Sequence, residues 1–185
     1  MRNIILELTA SLDGFIEGPN REIDWIIFDD EAANYLNSFA NEVDTVLYGR
    51  VSYELYGSYA GGDNGVEGEQ TFFSKVNQMN KYVFSDTLKQ VDEPVQLVRR
   101  KEMPDVVRQM KKENGKNIWL FGGSDLITSF INQNLIDEYR ISIQPVILGA
   151  GNPLFRDIQH RVPLKFVKAT AGKSGVVQLI YKAVS

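Results

Sequence analysis

The chain has 185 residues, a formal net charge of −4, 43% hydrophobic residues, no Cys and a single His, His160. A negative total excludes a global field that would draw in nucleic acid or an acidic membrane, so an anionic ligand must be held by a local patch. Without Cys or a second His the chain excludes thiolate catalysis, disulfides, zinc sites built on those ligands and most His triads, leaving carboxylates, hydroxyls, backbone groups or a cofactor to carry any chemistry.

No segment is apolar for long enough to span a bilayer, and Met1–Arg2–Asn3 runs directly into a strand-like stretch without the apolar core of a signal peptide. The expectation is a cytoplasmic chain folded as a single domain over residues 1–185, a size that buries roughly 70% of the unfolded surface. Ile4, Ile5, Leu6 and Leu8, interrupted by Glu7, read as a first strand ending in the Asp13–Gly14 turn, after which Phe15 and Ile16 offer renewed pairing. From Asp29 or Asp30 the residues Ala32, Ala33, Leu36, Phe39, Ala40 and Val43 recur at helical spacing. Thr45 to Tyr48 form a second strand that ends at Gly49–Arg50 and leads into a short helix through Tyr53 and Tyr56. Residues 57–69 carry glycines with Asp63 and Asn64 and little large apolar surface, which predicts a mobile loop. A helix over Phe72–Met79, strands at Lys81–Phe84 and Val95–Val98, and a helix opened by Pro104 follow. A fifth strand over Asn117–Phe121 stops at Gly122–Gly123, and the helix after it ends near Asn134. Asp137–Leu148 reads as a long strand broken by Pro145, and Leu164–Ala169 with Val176–Ala183 as a closing antiparallel hairpin. Strands alternating with helices over the first two thirds predict a largely parallel, two-faced sheet.

Several strands end in residues suited to a ligand: Gly49, Arg50 and Ser52 after the second, Ser85 and Thr87 after the third, Arg99–Lys101 after the fourth, and Gly122, Gly123 and Ser124 after the fifth. In open α/β sheets, ligands lie at the carboxyl ends of strands. Paired glycines opening a helix let backbone N–H groups approach a phosphate, with the helix dipole behind them. Taken singly, each residue has a plainer reading: Ser85 and Thr87 as turn residues, 99–101 as a solvated charge run, Gly49 as a packing glycine. Neither a three-glycine dinucleotide fingerprint nor a phosphate loop ending in Gly-Lys-Ser/Thr is present.

In order along the chain stand Ser11-Leu12-Asp13-Gly14-Phe15-Ile16, Val46-Leu47-Tyr48-Gly49-Arg50 with Ser52-Tyr53-Glu54, Phe121-Gly122-Gly123, and Pro145-Val146-Ile147-Leu148-Gly149-Ala150-Gly151 with Pro153-Leu154-Phe155. Together they resemble the dihydrofolate reductase-like family that includes the C-terminal reductase domain of the bacterial riboflavin biosynthesis protein RibD. The resemblance implies a three-layer α/β/α fold whose mixed, mostly parallel eight-stranded sheet ends in an antiparallel hairpin. It also implies NADPH along the strand ends, with hydride transfer to a heterocyclic or ribosylaminopyrimidine-like small molecule, such as 5-amino-6-(5-phosphoribosylamino)uracil. The cofactor contacts then fall on Gly49, Arg50, Ser52, Ser85, Thr87, Phe121, Gly122, Gly123, Ser124 and Leu126, with residues 99–101 favouring the phosphorylated nucleotide. The resemblance sets Asp13 beside the nicotinamide as candidate catalytic acid, against its plainer reading as the Asp of a turn. Trp25 and Phe28 are candidates for an aromatic wall against a heterocycle, or else hydrophobic anchors before the helix. Trp119 reads as core and His160 as surface, and the resemblance implies a homodimer, since relatives of this kind often pair. A true folate reductase carries an acid inside its first helix, whereas here Asp29, Asp30 and Glu31 crowd the helix start and the interior is Ala32, Ala33, Tyr35, Leu36 and Phe39. Two further readings remain: a nucleotide-binding scaffold without turnover, and an oxidoreductase using a flavin in the same groove.

Overall fold

The structure is a computed structural model that describes residues 1–62 and 66–184. In chain order its elements are β1 (Ile4–Ser11), β2 (Phe15–Glu17), α1 (Asp30–Ala40), β3 (Val43–Gly49), α2 (Arg50–Tyr56), α3 (Glu67–Asn77), β4 (Asn80–Phe84), β5 (Gln96–Val98), α4 (Met103–Lys112), β6 (Asn117–Gly122), α5 (Ser124–Asn132), β7 (Glu138–Gln144), β8 (Asn152–Pro153), β9 (Leu164–Ala171) and β10 (Val177–Ala183). Eight strands make one sheet in the spatial order β5, β4, β3, β6, β1, β7, β10, β9. Pairing is parallel from β5 to β7, and β10 then joins β7 and β9 antiparallel. The three-layer α/β/α architecture and its closing hairpin are as expected.

Alternation along β1 divides the core. Ile4, Leu6 and Ala10 join the cluster under α4 and α5 with Met103, Val107, Leu126 and Phe130. Ile5 joins the cluster under α1 and α3 with Phe39, Val46, Phe72 and Trp119. A strand covered on both faces reads as a continuous apolar run, so a charged residue within it stands out. Trp119 is 4% exposed and meets Phe39 edge-on at 5.5 Å, a geometry that adds about 0.5–1.5 kcal/mol beyond burial.

Some boundaries differ from the sequence reading. Helix α1 stops at Ala40, not Val43, because the chain turns through Asn41 and Glu42, whose N–H groups donate to Ser38 and Phe39 carbonyls, and Val43 opens β3. Its start is capped by the Asp29 carboxylate, which accepts from the Ala32 N–H at 2.9 Å. Of the loop expected over 57–69, residues 63–65 lie outside the described residues, while α3 already begins at Glu67. The Gly68 carbonyl accepts from Asn37 Nδ2 at 2.8 Å, and a Cβ there would lie 2.7 Å from that of Ala33, so glycine allows α3 to sit directly on α1. Strand β7 ends at Gln144 because Pro145 has no N–H to donate. The following chain forms a loop whose residues Asn152–Pro153 pair with Phe15–Glu17 as a separate two-stranded ribbon.

Candidate functional site

A cavity of about 1190 Å³ opens along the carboxyl ends of β1, β3, β4 and β6. The segments following these strands supply one group of walls: Arg50 and Ser52 after β3, Ser85, Asp86 and Thr87 after β4, and Gly123, Ser124 and Leu126 after β6. A second group is aromatic and aliphatic: Phe28 before α1, Leu36 on α1, Phe72 on α3, and Trp119 and Phe121 on β6.

Gly123 is the N-cap of α5, and no side chain caps that helix; the Leu126 N–H donates to the Gly123 carbonyl at 2.9 Å, which leaves the Ser124 and Asp125 N–H groups available beside the cavity. A Cβ on Gly123 would meet only Ser52 Oγ, at 3.5 Å, which leaves its outer side as open space. Gly122 takes a φ of 114° that favours glycine, and the Gly122–Gly123 peptide is cis. A Cβ on Gly49 would lie 3.4 Å from the Gly123 nitrogen, so Gly49 and Gly122 shape the crossing of two backbones behind the cavity and do not line it. The Arg50 guanidinium pairs with Glu54 at 2.8 Å, both side chains being half exposed. Ser85 is buried, its hydroxyl accepting from the Thr87 and Leu88 N–H groups, which makes it chiefly a turn residue at the cavity wall. Within the basic run, Arg99 turns inward to donate to the Ser85 and Leu88 carbonyls, and Arg100 is the member that reaches the cavity. A helix terminus bare of caps, one open glycine face and two arginines fit a pyrophosphate-bearing nucleotide.

Two candidates do not belong to this cavity. The Asp13 carboxylate accepts from Ser11 Oγ at 2.7 Å and from the Leu148 and Gly149 N–H groups at 3.1 and 2.8 Å, so it braces the turn after β1 against the loop after β7. Desolvation works to raise its pKa, but the Ser11 hydroxyl and these two backbone donors outweigh it and hold the group below the ordinary Asp value. An ionised, fully engaged brace outside the cavity is not a proton donor to anything within it. Trp25 also lies away from the cavity lining, its indole N–H donating to the Glu22 carbonyl at 3.1 Å; of the expected aromatic wall, Phe28 alone is in place.

Among the acids that line the cavity, Glu7 is the one buried within the central strand β1, 5% exposed in the middle of the sheet. It was visible only as the one charge inside the apolar run of β1. Burial pushes its pKa up from 4.5 to about 8, against the opposing pull of Arg140, its register partner on β7. Arg140 is itself committed: burial works to lower its pKa, but the Glu42 and Glu138 carboxylates, at 2.8 and 2.6 Å, hold it above its ordinary value. Burial thus favours the neutral acid over the carboxylate at Glu7. Among the described residues, no group of three or more His, Asp or Glu side chains is arranged to hold a metal ion.

The parallel sheet, the cleft at its carboxyl edge, the Gly–Gly entry into α5 and the antiparallel closing hairpin define a dihydrofolate reductase-like α/β/α protein. The profile of the RibD C-terminal domain matches residues 2–178, and the chain belongs to that family. It is 44% identical over 180 residues, 97% of this chain and 94% of the other, to the uncharacterized protein YyaP of Bacillus subtilis (strain 168). Among solved structures, a proposed riboflavin biosynthesis protein from Shewanella sp. PV-4 superposes with a TM-score of 0.78 at 23% identity, each chain covered in full. Dihydrofolate reductase from Enterococcus faecalis, complexed with NADP(H), superposes with a TM-score of 0.67 at 14% identity over 99% of this chain and 97% of that one. At these identities the two structures speak for the fold alone.

Proposed function

We propose that the protein is an NADPH-dependent reductase that acts on a heterocyclic or ribosylaminopyrimidine-like small molecule. The observation that carries this reading is the bare N-terminus of α5 at Gly123 and Ser124, set in the same cavity as Arg50, Thr87 and Arg100 and facing an aromatic second wall. Gly123 and Ser124 would hold the pyrophosphate through backbone N–H groups, with Arg50 adding a charged hydrogen bond. Thr87 and Arg100 would take the ribose 2′-phosphate. Phe28, Leu36 and Phe72 would stack the acceptor and keep water from it. The bound nucleotide supplies the hydride; the chain orients its donor carbon against the acceptor. Membership of the RibD C-terminal domain family supports this class of reaction. The proposal includes action in the cytoplasm as a homodimer, the latter supported by β9, which lies at the sheet edge with every residue exposed.

Titration of the protein with NADPH, NADH and FMN, followed by quenching of and energy transfer from Trp119, tests the reading. Saturable binding that prefers NADPH and is abolished in a folded Gly123→Ala variant is the expected result. A protein that binds none of them, or a variant that binds as well as the parent, overturns the assignment of the α5 terminus.

A further inference from the structure

Resting on the reductase reading above, we propose that Glu7 is the proton donor of the reduction, handing its proton to the nitrogen of a carbon–nitrogen double bond as hydride reaches the carbon.

Five carboxyl groups line the cavity, and four are committed elsewhere. Glu17 accepts from Asn152 Nδ2, Glu69 from the Gly62 N–H, Asp86 from the Arg100 N–H, and Asp125 pairs with Arg156. Glu7 alone has no hydrogen bond or ion pair to its carboxyl among the described residues, although it is buried in the central strand. A buried carboxyl without a partner inside the chain is stable as the neutral acid, and its O–H seeks an acceptor in the space it faces. Leu36, Phe72, Trp119 and Phe121, which also line the cavity, accept such a bond poorly. A ligand nitrogen would accept it well.

The charged and titratable groups around Glu7 fit the step. From β7 come Arg140 and Glu138, from α1 the buried hydroxyl of Tyr35, and from the turn after α1 Glu42; β6 contributes only the Trp119 and Phe121 rings. Proton transfer converts Glu7 from acid to carboxylate directly across the strand pair from Arg140, whose cation then opposes the new negative charge. The balance is complete: NADPH gives a hydride to the imine carbon and becomes NADP⁺, the C=N double bond becomes a C–N single bond, Glu7 gives H⁺ to the nitrogen, and solvent reprotonates Glu7 after the amine leaves. Asp13 takes no part, being outside the cavity with its oxygens occupied.

The test pairs wild type with Glu7→Gln, which keeps the volume and removes the acid. NADPH binding is measured first and decides the reductase reading by itself. Reduction of the cyclic imine 3,4-dihydroisoquinoline is then followed by loss of NADPH absorbance in single turnover. Glu7→Gln is expected to bind NADPH as wild type does but to transfer hydride roughly 10²- to 10⁴-fold more slowly, the contribution of a positioned general acid. The wild-type rate is expected to fall as pH rises through about 8, and the variant rate to lack that step. A variant that reduces the imine at the wild-type rate, or a wild type that binds NADPH and leaves the imine untouched, overturns the proposal. A cofactor-free measurement checks the acid separately. Between pH 4.5 and about 8 the unfolded chain has lost this proton and the folded one retains it, so wild type loses stability with rising pH across that window relative to Glu7→Gln. Denaturant midpoints of the two proteins that keep a constant separation from pH 4.5 to 8 also overturn the proposal.

Discussion

Arg50 shows how little the fold depends on some of the residues proposed for the ligand. Its partner Glu54 lies one helical turn away, both side chains are half exposed, and such a pair contributes about 0–1 kcal/mol. The guanidinium is thus free to exchange a carboxylate for a phosphate at small cost. Arg50→Ala should leave the denaturation midpoint nearly unchanged while weakening NADPH by roughly 1.5–3 kcal/mol, the scale of a charged hydrogen bond, as read by calorimetric titration. Equal affinities in the two proteins would remove Arg50 from the site. At this scale the sequence was legible where position follows from backbone context, as at Gly123 and Ser124 at the start of α5 beside the cavity, and illegible where it follows from burial. Asp13 lies in a motif and looks like a functional acid, yet its oxygens are filled by donors from residues 148 and 149, a pairing that no local pattern displays. Glu7 looks like a blemish in an apolar strand and is the cavity-lining acid whose carboxyl has no partner among the described residues. Its significance depends on neighbours brought by α1, α3 and β7, all distant in the chain.

At the scale of elements, the contact of α1 with α3 sets the aromatic wall, because Leu36 and Phe72 come from these two helices. Gly68 is what lets them meet. A side chain there places its Cβ 2.7 Å from the Ala33 Cβ, inside any real carbon–carbon contact, so the helices must separate. Gly68→Val is expected to destabilise the protein by roughly 1–3 kcal/mol, the usual cost of overpacking, seen as a lower midpoint in urea. A variant as stable as the parent would mean that the helices slide apart freely. The eight strands of the sheet and all five helices announced themselves through apolar runs, periodicity and the Pro104 and Gly122–Gly123 signals. Phe15 and Ile16 signalled β2 as well, but its partner β8 did not, since a strand of two residues carries no period and lies over a hundred positions away in sequence. The start of α3 was likewise hidden by glycines, which mark loops in general but here mark the close approach of two helices.

For the whole molecule, the sheet is asymmetric: β5 closes one edge, while β9 at the other exposes Phe166 by 57%, Val167 by 47% and Leu164 by 40%. Apolar side chains on an unpaired edge invite a second strand. Light scattering after gel filtration is expected to give twice the chain mass, and Phe166→Glu to give a monomer of unchanged circular dichroism; a monomeric wild type would rule out pairing through this edge. The cavity divides in another way. The side proposed for the nucleotide is built at Gly123 and Ser124 largely from peptide groups, whereas the side proposed for the acceptor is built from the side chains of Phe28, Leu36, Phe72 and Glu7. Peptide groups are the same whatever residue carries them, so the first half depends on the chain path and on the open face of Gly123, where an added side chain would intrude. The second half can be rewritten one side chain at a time. A scaffold divided in this way can be given a new acceptor by redesigning a few wall positions, with the docking of its reductant left as it stands.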